Sequence, residues 1–201
     1  NYWAWTEAPG ADDNGSGTAA VMALAEIMSD YDFNCTIRFV CFSGEEQGLK
    51  GSGHYAGDIV TAGENVSAVV NMDMIANNPE PGSELVRLFT GVLTIEDPSG
   101  LVNEIVNTTV IHANPIGLGI TIAGGAGNSD HQSFAAYYRS VLLIESQFSP
   151  VYHSVSDTIG MLNMTYCANV TQIAGATVAR MAGIQPGDTA PPAFSRLCPS
   201  D

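Results

Sequence analysis

Four carboxylates and one imidazole fall where short strand-like runs give way to loops. They are Asp13 in APGADDNGSG, Glu45 and Glu46 in FSGEEQGLKGSGHYA, Asp73 in NMDMI, and His153 in YHSVSDT. Gathered at one edge of a sheet, four like charges repel and raise one another's pKa values unless a cation neutralises them. Oxygen donors with an imidazole suit zinc, and a carboxylate shared between two ions suits a pair about 3.5–4 Å apart. Neighbouring Glu45 and Glu46 point different ways in extended backbone. One can then ligate metal while the other stands over a metal-activated water as a general base. The chemistry implied is hydrolysis.

Those residues need elements to carry them. The run Thr18–Met28 is Ala-rich and almost continuously apolar, a buried helix. Thr36–Ser43 (TIRFVCFS) is β-branched and aromatic, a short central strand, followed by a helical segment over Glu46–Ala56. Val66–Ile75, Glu84–Thr90 and Ser140–Glu145 read as further strands. Ser99–Val110, Ser129–Tyr138 and Met161–Met181 read as helices. Alternation of this kind, with near-continuous apolar strands, predicts an α/β fold: a three-layer α/β/α sandwich around a largely parallel sheet. In such sheets ligands bind beyond the carboxyl ends of the strands, where the acidic residues fall. One domain over residues 1–184 and a Pro-rich tail over 185–201 are expected.

The 201 residues carry 6 Lys+Arg against 21 Asp+Glu, a formal charge of −15. Phosphate backbones and anionic bilayers would be repelled, so nucleic acid and membrane surface are poor partners. Charged residues make up only 13% of the chain, half the usual share, which leaves the surface short of solvating groups. Six Asn-x-Ser/Thr triplets offer another way to solvate it. Asn34, Asn65, Asn107, Asn163 and Asn169 are candidate glycan acceptors, whereas Asn14 lies inside the acidic motif and is expected to remain bare. A secreted glycoprotein fits this pattern, as does the even count of cysteines, Cys35, Cys41, Cys167 and Cys198. Cys35 and Cys41 flank a strand-like run that holds them roughly 20 Å apart, far beyond the ~7 Å a disulfide tolerates. They should not pair with each other. Cys41 is expected to be a buried thiol, while Cys35 is left with Cys167, Cys198 or a cysteine outside this chain.

In order and spacing, the five motifs APGADDNGSG, FSGEEQGLKGSGHYA, NMDMI, SDHQSF and YHSVSDT resemble the di-zinc exopeptidases, a family of secreted aminopeptidases and glutaminyl cyclases. The resemblance runs from Pro9 to about Gly183 and is closer to the aminopeptidases. It implies that Asp13 bridges two zinc ions, that Glu46 and His153 bind one of them and Asp73 the other, and that Glu45 is the general base. Asp12 would shape the bridging loop, and Asp130 and His131 would line the substrate pocket. The expected activity is release of N-terminal residues from peptides.

The resemblance also implies a further ligand, a His in a His-x-Asp motif upstream of the bridging carboxylate. The twelve residues before Asp13 contain no His. The expectation is therefore a site one protein ligand short, completed by an upstream fragment or left so in a shortened relative. A degenerate site would suit a non-enzymatic extracellular scaffold or assembly subunit, with Tyr2, Trp3 and Trp5 covering an exposed sheet edge against self or a partner. His54 and His112 read as residues without a site role.

Overall fold

The computed structural model describes residues 8–77, 84–90, 100–123 and 127–184. Tyr2, Trp3, Trp5, most of the glycine-rich loop before Ser129, and the tail with Cys198 lie outside the described residues. The chain enters through a wide helical turn, Ala11–Ser16, and continues directly into α1, Gly17–Met28. There follow α2 (Lys50–Thr61), β1 (Val69–Met72), β2 (Leu85–Thr90), α3 (Leu101–Ile116), β3 (Gly119–Ile122), α4 (Gln132–Ala135), β4 (Ser140–Glu145) and α5 (Met164–Ala182). No helix of the described residues is long and apolar enough to cross a membrane.

The strands lie in the order β1-β4-β2-β3. β1 pairs with β4 in parallel, Met72 opposite Leu143, and β2 pairs with β3 in parallel. β2 and β4 run antiparallel. The expected largely parallel sheet is thus present with one reversed junction. Alternation along β1 sends Val70 into a large core formed with α1, α3 and α5, and Val69 into a smaller one with Ala56 and Ile59 of α2 and Phe134 of α4. Helices therefore cover both faces, as the sandwich requires. β4 is buried along nearly its whole length, and α5 buries residues on most of its circumference because it packs against both α1 and α3. Asn163 starts α5 by accepting the N–H of Tyr166 on its side-chain oxygen at 2.9 Å.

Three differences from the sequence reading have physical causes. Thr36–Ser43 is not a strand: it runs outside the sheet, with no ladder pairing among the described residues. Its β-branched and aromatic composition suits a pleated surface, but a strand exists only where neighbouring backbone groups complete the ladder. Ile37 and Phe42 still reach the two cores, while Phe39 and Cys41 are exposed. The expectation of a buried Cys41 thiol is therefore corrected. The helix expected over Glu46–Ala56 starts only at Lys50, because Gly44 (φ 71°), Gly48 (φ 92°) and Leu49 (φ 57°) hold the preceding segment in a turn. The helix expected over Ser129–Tyr138 shrinks to α4, and β3 went unread because it is four residues beside a glycine. Cys35, Cys41 and Cys167 are free thiols in this structure.

Candidate metal centre

The turn ahead of α1 presents Asp13 by leaving helical geometry at Asp13 and Asn14. Two glycines make that possible. Gly10 sits at φ 65°, and a Cβ there would meet the Asp13 carbonyl oxygen at 2.6 Å. At Gly17 a Cβ would meet the Met72 carbonyl oxygen at 2.2 Å, so α1 begins closer to β1 than any side chain allows. Asn14 ties the turn to the strand: its amide nitrogen donates to the Met72 carbonyl at 3.0 Å and its oxygen accepts from Gly17 N–H. Both ends of the Asn14 amide are thus engaged. Ser16 bridges the turn to the strand end, donating to the Asp12 carbonyl and accepting from Ile75 N–H.

Asp13, Glu46 and His153 converge. His153 Nε2 lies 3.0 Å from Asp13 Oδ2 and 2.5 Å from Glu46 Oε1. One donor atom from each of the three falls within 4.8 Å of the other two, the one such group of three among the described residues. Two site residues sit in strained backbone, His153 at φ 54° and, next to Asp73, Met74 at φ 53°. Such conformations persist where the surrounding structure over-determines them. The three donors open into a cavity of about 290 Å³ that Glu45, Asp73 and Asp130 also line. Asp73 is nearly buried, accepts from Ser129 Oγ at 2.6 Å on one oxygen, and has no hydrogen-bond partner on the other. Asn71 donates to the same serine at 2.8 Å.

Crowding leaves its mark on the carboxyls. Asp13 is pushed up to about 7, first by burial and then by the charges of Asp73 and Glu46. Glu45 is likewise pushed up to about 7 by burial, Asp73 and Glu46. Asp73 rises to about 6 through burial, against the opposing hydrogen bond from Ser129. Tyr152 stacks on His153 with ring centroids 3.6 Å apart, and Phe148 meets Tyr152 edge-on. Burial, and then the charge of Asp13, push the Tyr152 hydroxyl up to about 12. A set of raised carboxyls, one orphaned oxygen and an imidazole fits a divalent cation, whose positive charge would offset their mutual repulsion.

The structure thus brings five of the sequence-identified residues, Asp13, Glu45, Glu46, Asp73 and His153, to one cavity, with Asp130 beside them. His131 is corrected: it is fully buried in the turn before α4 and does not line the cavity. His54 is exposed, 3.5 Å from Asp58. Among the glycan candidates Asn34, Asn65 and Asn107 are exposed, and Asn163 caps α5. Asn169 is 8% exposed and its amide nitrogen donates to Glu84, so the folded chain leaves it no room for a glycan.

Next to the site, Glu145 escaped the sequence reading, which named Asp12 only as a residue shaping the bridging loop and gave Asp157 no role. Asp12 and Glu145 form a buried carboxyl pair, and Asp157 holds the turn from outside. Glu145 is fully buried, takes the N–H groups of Asn77 and Ser149, and is pushed up to about 9 by burial and by the Asp12 charge facing it. Burial raises Asp12 as well, so the pair favours holding a proton at neutral pH, and Asp12 accepts Ala76 N–H on Oδ1 at 3.0 Å. An acidic residue closing an apolar strand was the available signal for Glu145.

Comparison with known proteins adds a frame. A model of peptidase family M28 matches residues 2–178. Aminopeptidase YwaD of Bacillus subtilis is 34% identical over 158 residues, covering 75% of this chain and 33% of the relative. Leucine aminopeptidase 1 of Coccidioides posadasii is 30% identical over 171 residues, 79% of this chain and 43% of the relative. Among solved structures, the LapA aminopeptidase of Legionella pneumophila superposes with a TM-score of 0.76 at 26% identity, over 89% of this chain and 47% of that one. The glutaminyl cyclase of Macrostomum lignano, at 16% identity and a TM-score of 0.63, shares the fold. The chain spans about a third to less than half the length of these aminopeptidase relatives. With the family model covering most of its length and the acidic cavity where the motifs placed it, the chain belongs to peptidase family M28.

Proposed function

We propose that this chain carries the metal centre of a zinc aminopeptidase that releases N-terminal residues from peptides. The observation that carries the reading is the convergence of Asp13, Glu46 and His153 in one cavity with Glu45 and Asp73. The names of the M28 relatives, aminopeptidases and zinc metalloproteases, support it. Asp13, Glu46 and His153, with Asp73 for a second ion, would hold zinc, which would supply Lewis-acid polarisation of a carbonyl and a water acidic enough to attack at neutral pH.

The protein's own groups do the rest. Glu45 lines the cavity without belonging to the donor cluster, which leaves its carboxylate free to take the proton of the attacking water. The same carboxyl then returns the proton to the departing amine. A bound cation would lower these pKa values again, the same linkage by which neutralising the carboxylates drives cation uptake. The acidic lining of the cavity offers counter-charge to a peptide's ammonium group. Glu45→Gln keeps size and hydrogen bonding but removes the base. Turnover of an aminoacyl anilide should fall about 10²–10⁴-fold with metal content per chain unchanged. Retained turnover would remove Glu45 from its role, and zinc-loaded parent chain without turnover would favour the scaffold reading.

We also propose that the protein works outside the cytosol as a glycoprotein. Exposure of Asn34, Asn65 and Asn107, each in an Asn-x-Ser/Thr triplet, supports this. Enzymatic deglycosylation of native material should lower its mass by several glycans; an unchanged mass would refute it.

A further inference from the structure

On the side away from β1, the turn that presents Asp13 is held by one residue distant in sequence, Asp157. Three consecutive N–H groups, those of Ala11, Asp12 and Asp13, all end on Asp157: Ala11 N–H on its carbonyl oxygen at 3.2 Å, Asp12 N–H on Oδ1 at 2.9 Å, Asp13 N–H on Oδ2 at 3.0 Å. Asp157 is 2% exposed. N–H groups at the start of a helix have no intrahelical partner, and a carboxylate among them is both an acceptor and a favourable charge at the positive end. Here the acceptor comes from 144 residues away rather than from the neighbouring sequence. It also stands four residues after His153, in the same loop, whose Asp157 N–H donates to the Ser154 carbonyl at 3.2 Å.

We propose that Asp157 is a positioning residue for the metal centre: through the backbone of Ala11–Asp13 it sets the distance between the Asp13 carboxylate and the His153 imidazole, and so the affinity and geometry of the cation they share. On the opposite side Asn14 performs the matching task toward the β1 end that bears Asp73. The bridging carboxylate is then fixed against two loops at once, by an outside clamp and by its own neighbour. Asp157 touches neither the reacting atoms nor the cation. Its effect passes through Asp13.

This inference rests on the metal-site reading above, and its test reads metal rather than turnover. Asp157→Asn keeps the shape but turns an NH₂ group toward one of the two amides, which repels where the carboxylate attracted. Zinc affinity, measured against a chromophoric chelator, should fall about 10–100-fold. The visible absorption of the cobalt-loaded chain should shift, because the angle between the donors changes. A merely structural residue would lower the thermal midpoint of the metal-free chain and leave zinc affinity and the cobalt spectrum alone, and that pattern would overturn the proposal. Should Asp157→Asn fail to fold, Asp157→Glu decides: it keeps a carboxylate for the amides, but its extra methylene pushes the turn away from His153. It should fold and still bind zinc more weakly, and parental affinity in it would overturn the clamp. If the parent chain takes up no zinc, the metal-site reading falls and the positioning role with it; if parent and variants bind alike, only the clamp falls.

Discussion

Two clusters of acids stand side by side at the carboxyl edge of this sheet, and they meet the same electrostatic problem in opposite ways. Asp13, Glu46 and His153 lie at a cavity mouth with partly exposed side chains, alongside Glu45 and Asp73. Asp12 and Glu145, one residue and one strand end away, are buried. The buried pair is more nearly closed: backbone N–H groups of Ala76, Asn77 and Ser149 reach three of its four oxygens, and burial with the facing charge favours a proton on Glu145, leaving Asp12 Oδ2 as the one oxygen no N–H group reaches. The cavity cluster has no such closure, and its carboxyls sit near neutrality for want of positive charge. A carboxyl pair sealed from solvent by a proton is structural, whereas one left open to solvent and short of positive charge is poised for a cation. The structural pair anchors three loops at once, the turn before α1, the exit from β1 and the exit from β4, and these loops carry Asp13, Asp73 and His153.

The comparison breaks first at Glu145. Glu145→Leu leaves Asp12 as a buried carboxylate without its shared proton and strips the Asn77 and Ser149 N–H groups of an acceptor. Losing one partner of a buried pair costs about 3–5 kcal/mol. The urea midpoint followed by circular dichroism should fall accordingly, with and without zinc. Glu145→Gln, which can still donate to Asp12 but cannot accept both amides, should cost about 1–3 kcal/mol. A Leu variant as stable as the parent would show that the pair does not hold the loops.

Stability against pH sharpens the contrast. In the metal-free chain Asp13 and Glu45 titrate near 7 and Asp73 near 6, all above the ~4 of an unfolded carboxyl. The folded chain therefore binds more protons than the unfolded one between about pH 4 and 7, so stability is highest at the acidic end and declines as pH rises through that window. The decline from these groups, discounted for the open cavity mouth, is about 2–4 kcal/mol and ends near pH 7. Zinc takes the place of the protons and should abolish it. The contribution of Glu145, whose value lies near 9, keeps declining toward pH 9 whether or not zinc is present. Unfolding midpoints from pH 5 to 9 in chelator and in excess zinc check this. Equal slopes below pH 7 in both conditions would mean that the cavity cluster does not take up the cation.

The open cluster was legible in the sequence, whereas of the buried pair only Asp12 was, as a residue shaping the bridging loop, and Glu145 was not, for a physical reason. Asp13, Glu45, Glu46, Asp73 and His153 occur in polar or glycine-punctuated motifs at strand exits, where a charged side chain has no packing role to explain it. Glu145 ends an apolar strand and reads as the first loop residue, so neither its full burial nor its proton is visible until β4 is placed in the middle of the sheet. His131 misled in the converse way: it stands beside Asp130 in a polar motif, yet only the aspartate reaches the cavity. The helices α1 and α5 and the strands β2 and β4 followed from apolar runs that need no partner to be recognised. Thr36–Ser43 did not, since its composition promised a strand and only a neighbouring ladder could make one.

The smallest expected effect probes the boundary between the two clusters. Asp73 is the member of the cavity set that most nearly resembles the buried pair: almost buried, with one oxygen satisfied by Ser129 and the other unpartnered. If the serine hydroxyl does for Asp73 part of what the shared proton does for Asp12, Ser129→Ala should raise the Asp73 pKa further by removing the one hydrogen bond that opposes burial. It also leaves the Asn71 amide nitrogen without its acceptor. The cost is about 1 kcal/mol in the metal-free chain, larger at pH 8 than at pH 5, because the bond stabilises the ionised carboxylate. Excess zinc should shrink the difference, since a cation on the free oxygen of Asp73 restores what the hydroxyl supplied. Paired urea titrations of parent and variant at the two pH values, with and without zinc, measure all three. A cost independent of both pH and zinc would place Asp73 with the structural acids and remove it from the metal centre.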